Sequence, residues 1–105
     1  MTVFSSSQIE EQTESWKILA TTAKSQLAVM ILEEGEVSGS YGTDHPQADQ
    51  VLYCVNGAGE VESEGETIKF SAGDAVLIPA GDKHQVRGGP CTTINFYGPP
   101  AYPNG

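Results

Sequence analysis

The chain has 105 residues, 38% of them apolar, with 12 glycines and a formal charge of -9 from fourteen acidic against five basic side chains. One domain of this size buries about two-thirds of its unfolded surface, and the glycine-rich composition suits a turn-rich β protein better than a helical bundle. So acidic a chain repels phosphate backbones and anionic lipid, which argues against nucleic acid or membrane partners.

Residues 1–15 read as an acidic N-terminal arm. Ser7 and Glu10 have the spacing of a capping box for a short helical turn. The first residues carry no basic, apolar leader, and no run approaches the length of a membrane span, so cytoplasm is the expected location. From Trp16 to Thr22 the chain becomes strand-like. Leu27 to Leu32 is a continuous apolar run of strand length, expected to be covered on both faces and closed by Gly35. A polar bend occupies 39–46. Gln50 to Val55 is the next strand, ended by Asn56-Gly57, the strongest short turn signal in the chain. Residues 60–63 and 66–70 flank Glu64-Gly65 as a hairpin with an acidic outer face, and Gly73-Asp74 turns the chain into the strand 75–78. Cys91 to Tyr97 forms the last strand, before the tail 101–105. Many short strands separated by glycine turns predict an all-β sandwich or small barrel over 16–100. Cys54 and Cys91 are expected to be reduced, strand-embedded thiols.

Both histidines stand beside chain-reversing residues. His45 precedes Gln50 and, after six residues, Gly57. Gly73, Pro79, Gly81 and His84 follow the spacing Gly-x5-Pro-x-Gly-x2-His. In these two segments the chain resembles the small single-domain members of the cupin superfamily, over roughly residues 26 to 100. The resemblance implies a double-stranded β-helix (jelly roll) and often a homodimer. It places His45 at the second histidine of the first motif, Gln50 at its glutamate and Gly57 at its closing glycine. The chain departs from the pattern at Thr43 (first histidine), Val37 (opening glycine) and Gly88 (final asparagine). A full site of the family has three imidazoles and one carboxylate; here two imidazoles and one amide remain.

Strand alternation puts Gln50, Leu52 and Cys54 on one face and Val51, Tyr53 and Val55 on the other. If the first face is the interior, His45, Gln50 and His84 converge as candidate ligands for a divalent transition metal such as Zn, Fe, Ni or Mn. All three donors are neutral, so an ion would keep its full charge in a partly apolar cavity, an expensive arrangement. The expected partner is therefore a small anionic ligand whose carboxylate or phosphate offsets that charge. The competing reading is that Gln50 hydrogen-bonds His84 and holds a metal-free pocket. Alternation points Asp44 away from the face of His45, so Asp44 and Asp49 read as solvated loop acids. Tyr41 and Thr43 share the parity of His45, and Tyr41 is the nearest candidate for a general base. Cys54, Trp16, Met30, Phe70 and Phe96 read as core. Lys83 and Arg87 lie near the turn of His84 and read as solvated.

Two functions follow. One is a metal-dependent enzyme on a small acidic molecule, since oxygenase, isomerase and decarboxylase chemistries all occur in the family that the chain resembles and the fold does not choose among them. The other is a non-catalytic protein that binds or senses a small ligand. The missing carboxylate favours the second, because oxygen-activating iron sites commonly use two histidines and one carboxylate.

Overall fold

The computed structural model describes residues 1–43 and 45–102. Asp44, weighed above as a loop acid, lies outside the described residues, as do residues 103–105 of the tail. A five-residue helix α1 (Ser6–Glu10) is followed by six strands: β1 (Trp16–Thr21), β2 (Gln26–Leu32), β3 (Asp49–Ser63), β4 (Glu66–Ser71), β5 (Ala75–Ile78) and β6 (Gln85–Gly98). They form one antiparallel sheet in the order β1-β2-β6-β3-β4, with β5 also paired to β3. The all-β expectation holds. No helix among the described residues is long and apolar enough to cross a membrane.

The chain explains most of these elements locally. The apolar run of β2 is covered on both faces, with Ala28, Val29 and Met30 all buried. The hairpin of β3 and β4 turns at Glu64-Gly65, both at positive φ, as a tight two-residue connection requires. The interior face of β3 is the one expected: Gln50, Leu52 and Cys54 are buried, whereas Tyr53 is exposed. Leu52, Cys54, Val61, Phe70, Ile78, Val86 and Cys91 join Met30 and Leu32 in the main core.

Two expectations need correction. The helical turn of the arm is capped by Ser5 and Gln8, not by Ser7 and Glu10: the Ser5 hydroxyl accepts from Gln8 N at 3.2 Å while the Gln8 side chain accepts from Ser5 N at 2.8 Å. Ser7 lies inside the helix, whereas an N-cap needs the extended backbone that Ser5 has, at φ -72° and ψ 158°. Nor does Asn56-Gly57 reverse the chain. β3 runs through it for 15 residues, with register shifts against β6 on both sides. Gly57 sits at φ +79°, and a Cβ there would lie 2.1 Å from Pro90 O. The glycine makes a bulge where two backbones meet closely, a second use of the same conformational freedom.

Candidate metal and ligand site

Two turns bring the histidines together. Gly81, at φ +88°, closes the turn after β5, in which Asp82 N donates to Pro79 O at 3.1 Å. His84 leaves that turn paired with Gly42 through backbone bonds in both directions, at 2.9 and 3.2 Å. His45 begins the turn that feeds β3, with Ala48 N donating to His45 O at 3.1 Å. The carboxylate of Asp49 accepts from Ala80 N at 2.9 Å and ties this start of β3 to the other turn. Asp49 is thus a brace between the turns as well as an exposed acid.

The result is a cavity of about 300 Å³ lined by His45, Gln50, His84, Trp16, Tyr97 and Tyr102, among others. The two imidazole centres lie 5.2 Å apart. His45 Nδ1 lies 3.1 Å from Ala48 O, and His84 Nδ1 lies 3.0 Å from Asp82 O. A carbonyl can only accept, so each Nδ1 is the donor of its bond, and in a neutral ring it is then Nε2 that keeps the lone pair. This is the tautomer and the backbone anchoring that metal-binding histidines use. Gln50, buried with His45, spends its Nε2 on Asn95 Oδ1 at 2.8 Å. Its Oε1 is the buried side-chain polar atom left without a partner among the described residues. The expectation that Gln50 bonds His84 is therefore overturned: its donor end goes to Asn95, and the His84 donor goes to Asp82.

These residues fit a divalent ion. Two imidazoles held at a nitrogen–metal distance of about 2.1 Å place their ring centres roughly 4.5 to 5.5 Å apart for metal angles of about 90° to 120°, and 5.2 Å lies in that range. The orphaned amide oxygen would be a third, weaker donor. Among the described residues no three His, Cys, Asp or Glu side chains are grouped so as to hold a metal ion; beside the two imidazoles, the amide of Gln50 is a further oxygen donor lining the cavity. Glu36 is the lining carboxylate, with one oxygen accepting from Glu33 N at 2.9 Å. Neither lysine nor arginine lines the cavity. Arg87 donates to Gly35 O and faces Glu60 at 4.0 Å.

Other candidates are moved. The Tyr41 hydroxyl accepts from Glu64 N at 2.8 Å and is exposed, outside the cavity, so the suggested general base has no access to it. Thr43 is likewise absent from the lining; its Oγ1 accepts from His45 N at 3.3 Å. Phe96 is exposed, whereas Phe70 is core. Met30 and Trp16 line the cavity, although both also touch core. Gly88, at the asparagine position of the second motif, faces the end of β2: a Cβ there would lie 2.5 Å from Glu33 O and 2.6 Å from Leu32 Cβ. No side chain fits, which accounts for the departure.

The sequence reading missed the aromatic wall. Tyr97, nearly fully buried, stands edge-on to His45 at 5.0 Å. Tyr102 meets Tyr97 at 5.2 Å and Trp16 at 5.0 Å. Alternation along β6 could have found Tyr97, which shares the inward parity of Thr93 and Asn95. Nothing in the tail's composition announces Tyr102.

A cupin-domain family model matches residues 28–94, and the chain belongs to that family. Among solved structures it is similar to BH2720 from Bacillus halodurans, at 27% identity and a TM-score of 0.89, over 100% of this chain and 85% of that one. KdgF from a Halomonas species is similar at 32% identity and a TM-score of 0.70, over 81% and 77% of the two chains. A protein of Thermotoga maritima described as a predicted oxalate decarboxylase shares the fold at 18% identity and a TM-score of 0.64, over 74% and 69%. No curated protein matches the chain.

Proposed function

We propose that this protein binds a divalent transition metal through His45, Gln50 and His84, and that a small anionic ligand completes the ion's shell inside the barrel. The observation that carries the reading is the unpartnered, buried Oε1 of Gln50, in the cavity lined by two histidines whose Nδ1 atoms are tied to carbonyls. A buried acceptor without a donor costs about 1–3 kcal/mol, and a cation removes that cost. When bound, the ion would act as a Lewis acid or redox centre with positions open to a ligand.

The chain's own residues do the rest. Ala48 O and Asp82 O hold both rings in the metal-ready tautomer. Trp16, Tyr97 and Tyr102 form an apolar wall that limits water at the site. With three neutral donors and no lysine or arginine in the lining, an anion gains little from the protein alone and much from a bound ion. Metal and anion should therefore bind cooperatively. Turnover of the bound ligand by oxygenase, isomerase or decarboxylase chemistry is the catalytic form of this proposal. A metal-free binding pocket, in which the Gln50 oxygen accepts a hydrogen bond from a ligand, is the second reading, favoured by the same orphaned atom.

Titration calorimetry of metal-free protein with Zn(II), with and without a small dicarboxylate, tests the coupling. The expected outcome is tighter zinc binding with the dicarboxylate present; equal affinities would remove the anionic partner, and no uptake would remove the metal. The Gln50→Glu variant separates the two readings. Tighter metal binding marks position 50 as a ligand, whereas loss of ligand binding without metal marks the amide as a recognition group.

A further inference from the structure

We propose that Thr93 and Asn95 are positioning residues that fix the polarity of the Gln50 amide, holding Nε2 against Asn95 so that Oε1 is the end left free to meet the occupant of the cavity. The functional consequence rests on the metal-binding reading above, but the polarity belongs to the ligand-free chain.

The argument starts from an atom whose role cannot be exchanged. Met30 O is a carbonyl and only accepts. Thr93 Oγ1 lies 3.2 Å from it and donates its one proton there. Having spent that proton, the hydroxyl can only accept from its other neighbour. Asn95 Nδ2, 3.0 Å away, must therefore be the donor. An amide that turns its nitrogen to Thr93 turns its oxygen the other way, and Asn95 Oδ1 faces Gln50 at 2.8 Å. Gln50 must answer with Nε2, which leaves Oε1 pointing elsewhere, unpartnered. Thr93 and Asn95 are fully buried and Gln50 is 2% exposed, so no bulk water is at hand to reverse a link. Reversal would require both amides to flip together and the Thr93 bond to Met30 O to break, in a low-dielectric interior where each lost bond is costly.

The relay also bears on why an amide stands where the family pattern has a carboxylate. A carboxylate at position 50 would set an acceptor against Asn95 Oδ1. It is accommodated only if Asn95 turns over and Thr93 abandons Met30.

Side-chain NMR of metal-free, isotopically labelled protein tests the polarity directly. We expect slowly exchanging Gln50 Nε2 protons with a coupling through the hydrogen bond to Asn95 Cγ. A coupling in the opposite sense, from Asn95 Nδ2 to Gln50 Cδ, or Gln50 amide protons exchanging at the rate of an exposed glutamine, overturns the proposal. The role is tested with Thr93→Val, close in shape but without the hydroxyl. It should lose the Gln50 protection and weaken Zn(II) binding by about 10-fold or more, and Thr93→Ser should restore both. Retained Gln50 protection and unchanged zinc affinity in Thr93→Val would refute the positioning role. Should that variant fail to fold, the wild-type coupling decides. Wild-type protein that shows the coupling yet takes up no zinc would refute the metal site while upholding the polarity.

Discussion

Cys54 and Cys91 are the softest potential metal ligands in the chain, and both are free, buried and outside the cavity lining. Cys54 donates instead to Asn56 O at 3.2 Å. Burial is the main force that raises its pKa above the ordinary 9.0, and the nearby Cys91 and Asp74 act in the same direction. Burial also raises Cys91, partly opposed by hydrogen bonds from Gly89 and Leu32. The folded chain therefore holds thiol protons that the unfolded chain releases. The resulting stability is fully present below the ordinary value and is lost as the pH rises through the folded values. A thiol reagent at neutral pH should thus label neither cysteine in native protein and both after denaturation. The denaturation midpoint should fall as pH passes 9, less steeply in Cys54→Ala. Rapid native labelling at pH 7 would contradict the burial argument and reopen Cys54 as a ligand.

At the scale of elements, the tail after β6 becomes part of the barrel through one side chain of β2. Gln26, 1% exposed, accepts from Ala101 N at 3.1 Å and Tyr102 N at 2.9 Å. Its Nε2 donates to Tyr102 O at 2.9 Å and Thr21 Oγ1 at 3.0 Å. All four bonds of the amide are used, and they deliver Tyr102 to the aromatic wall. Gln26→Leu should cost about 1–3 kcal/mol by stranding these backbone groups, and hydrogen exchange at Ala101 and Tyr102 should accelerate well beyond that of β2. Unchanged exchange there would show that ring packing alone holds the tail. This clamp also marks what the sequence could not convey. β2 was legible as an apolar run of strand length, and alternation in β3 was legible because its inward residues are mostly apolar, which put Gln50 on the same face as Leu52 and Cys54. The turn residues Gly81 and Pro79 were legible because few residues can replace them. Asn56-Gly57 was legible only as a positive-φ signal, which does not say whether the chain reverses or bulges; Pro90 O, over thirty residues away, decides that. Gln26, Thr93 and Asn95 were illegible because a buried polar residue makes sense only beside its partners.

For the whole molecule, the open question is what covers the outer face of the sheet. Register aligns Leu77, Val51 and Phe96 in one row across β5, β3 and β6, and Ala75, Tyr53 and Ile94 in the next. Leu77 is 64% exposed, Tyr53 45% and Phe96 43%. These rows contain no charge, although the chain carries a net -9; the acids of β3 and β4, Asp49, Glu60, Glu62 and Glu66, lie beyond the stretch where β5 pairs. A contiguous apolar face on so acidic a chain is the kind of surface that marks an interaction site, and an isologous pair of copies would cover it without opposing the acidic strands directly. We therefore propose the homodimer that the family resemblance implies, built on this face. Light scattering should give a mass near twice 11.1 kDa, and pairing should tighten with salt, because the Debye length is only about 10 Å at 0.1 M. Replacing Leu77 and Phe96 by lysine should yield monomers with an unchanged β-sheet spectrum. A monomeric wild type at high concentration, or a double variant that still pairs, would mean that this face is not where two copies meet.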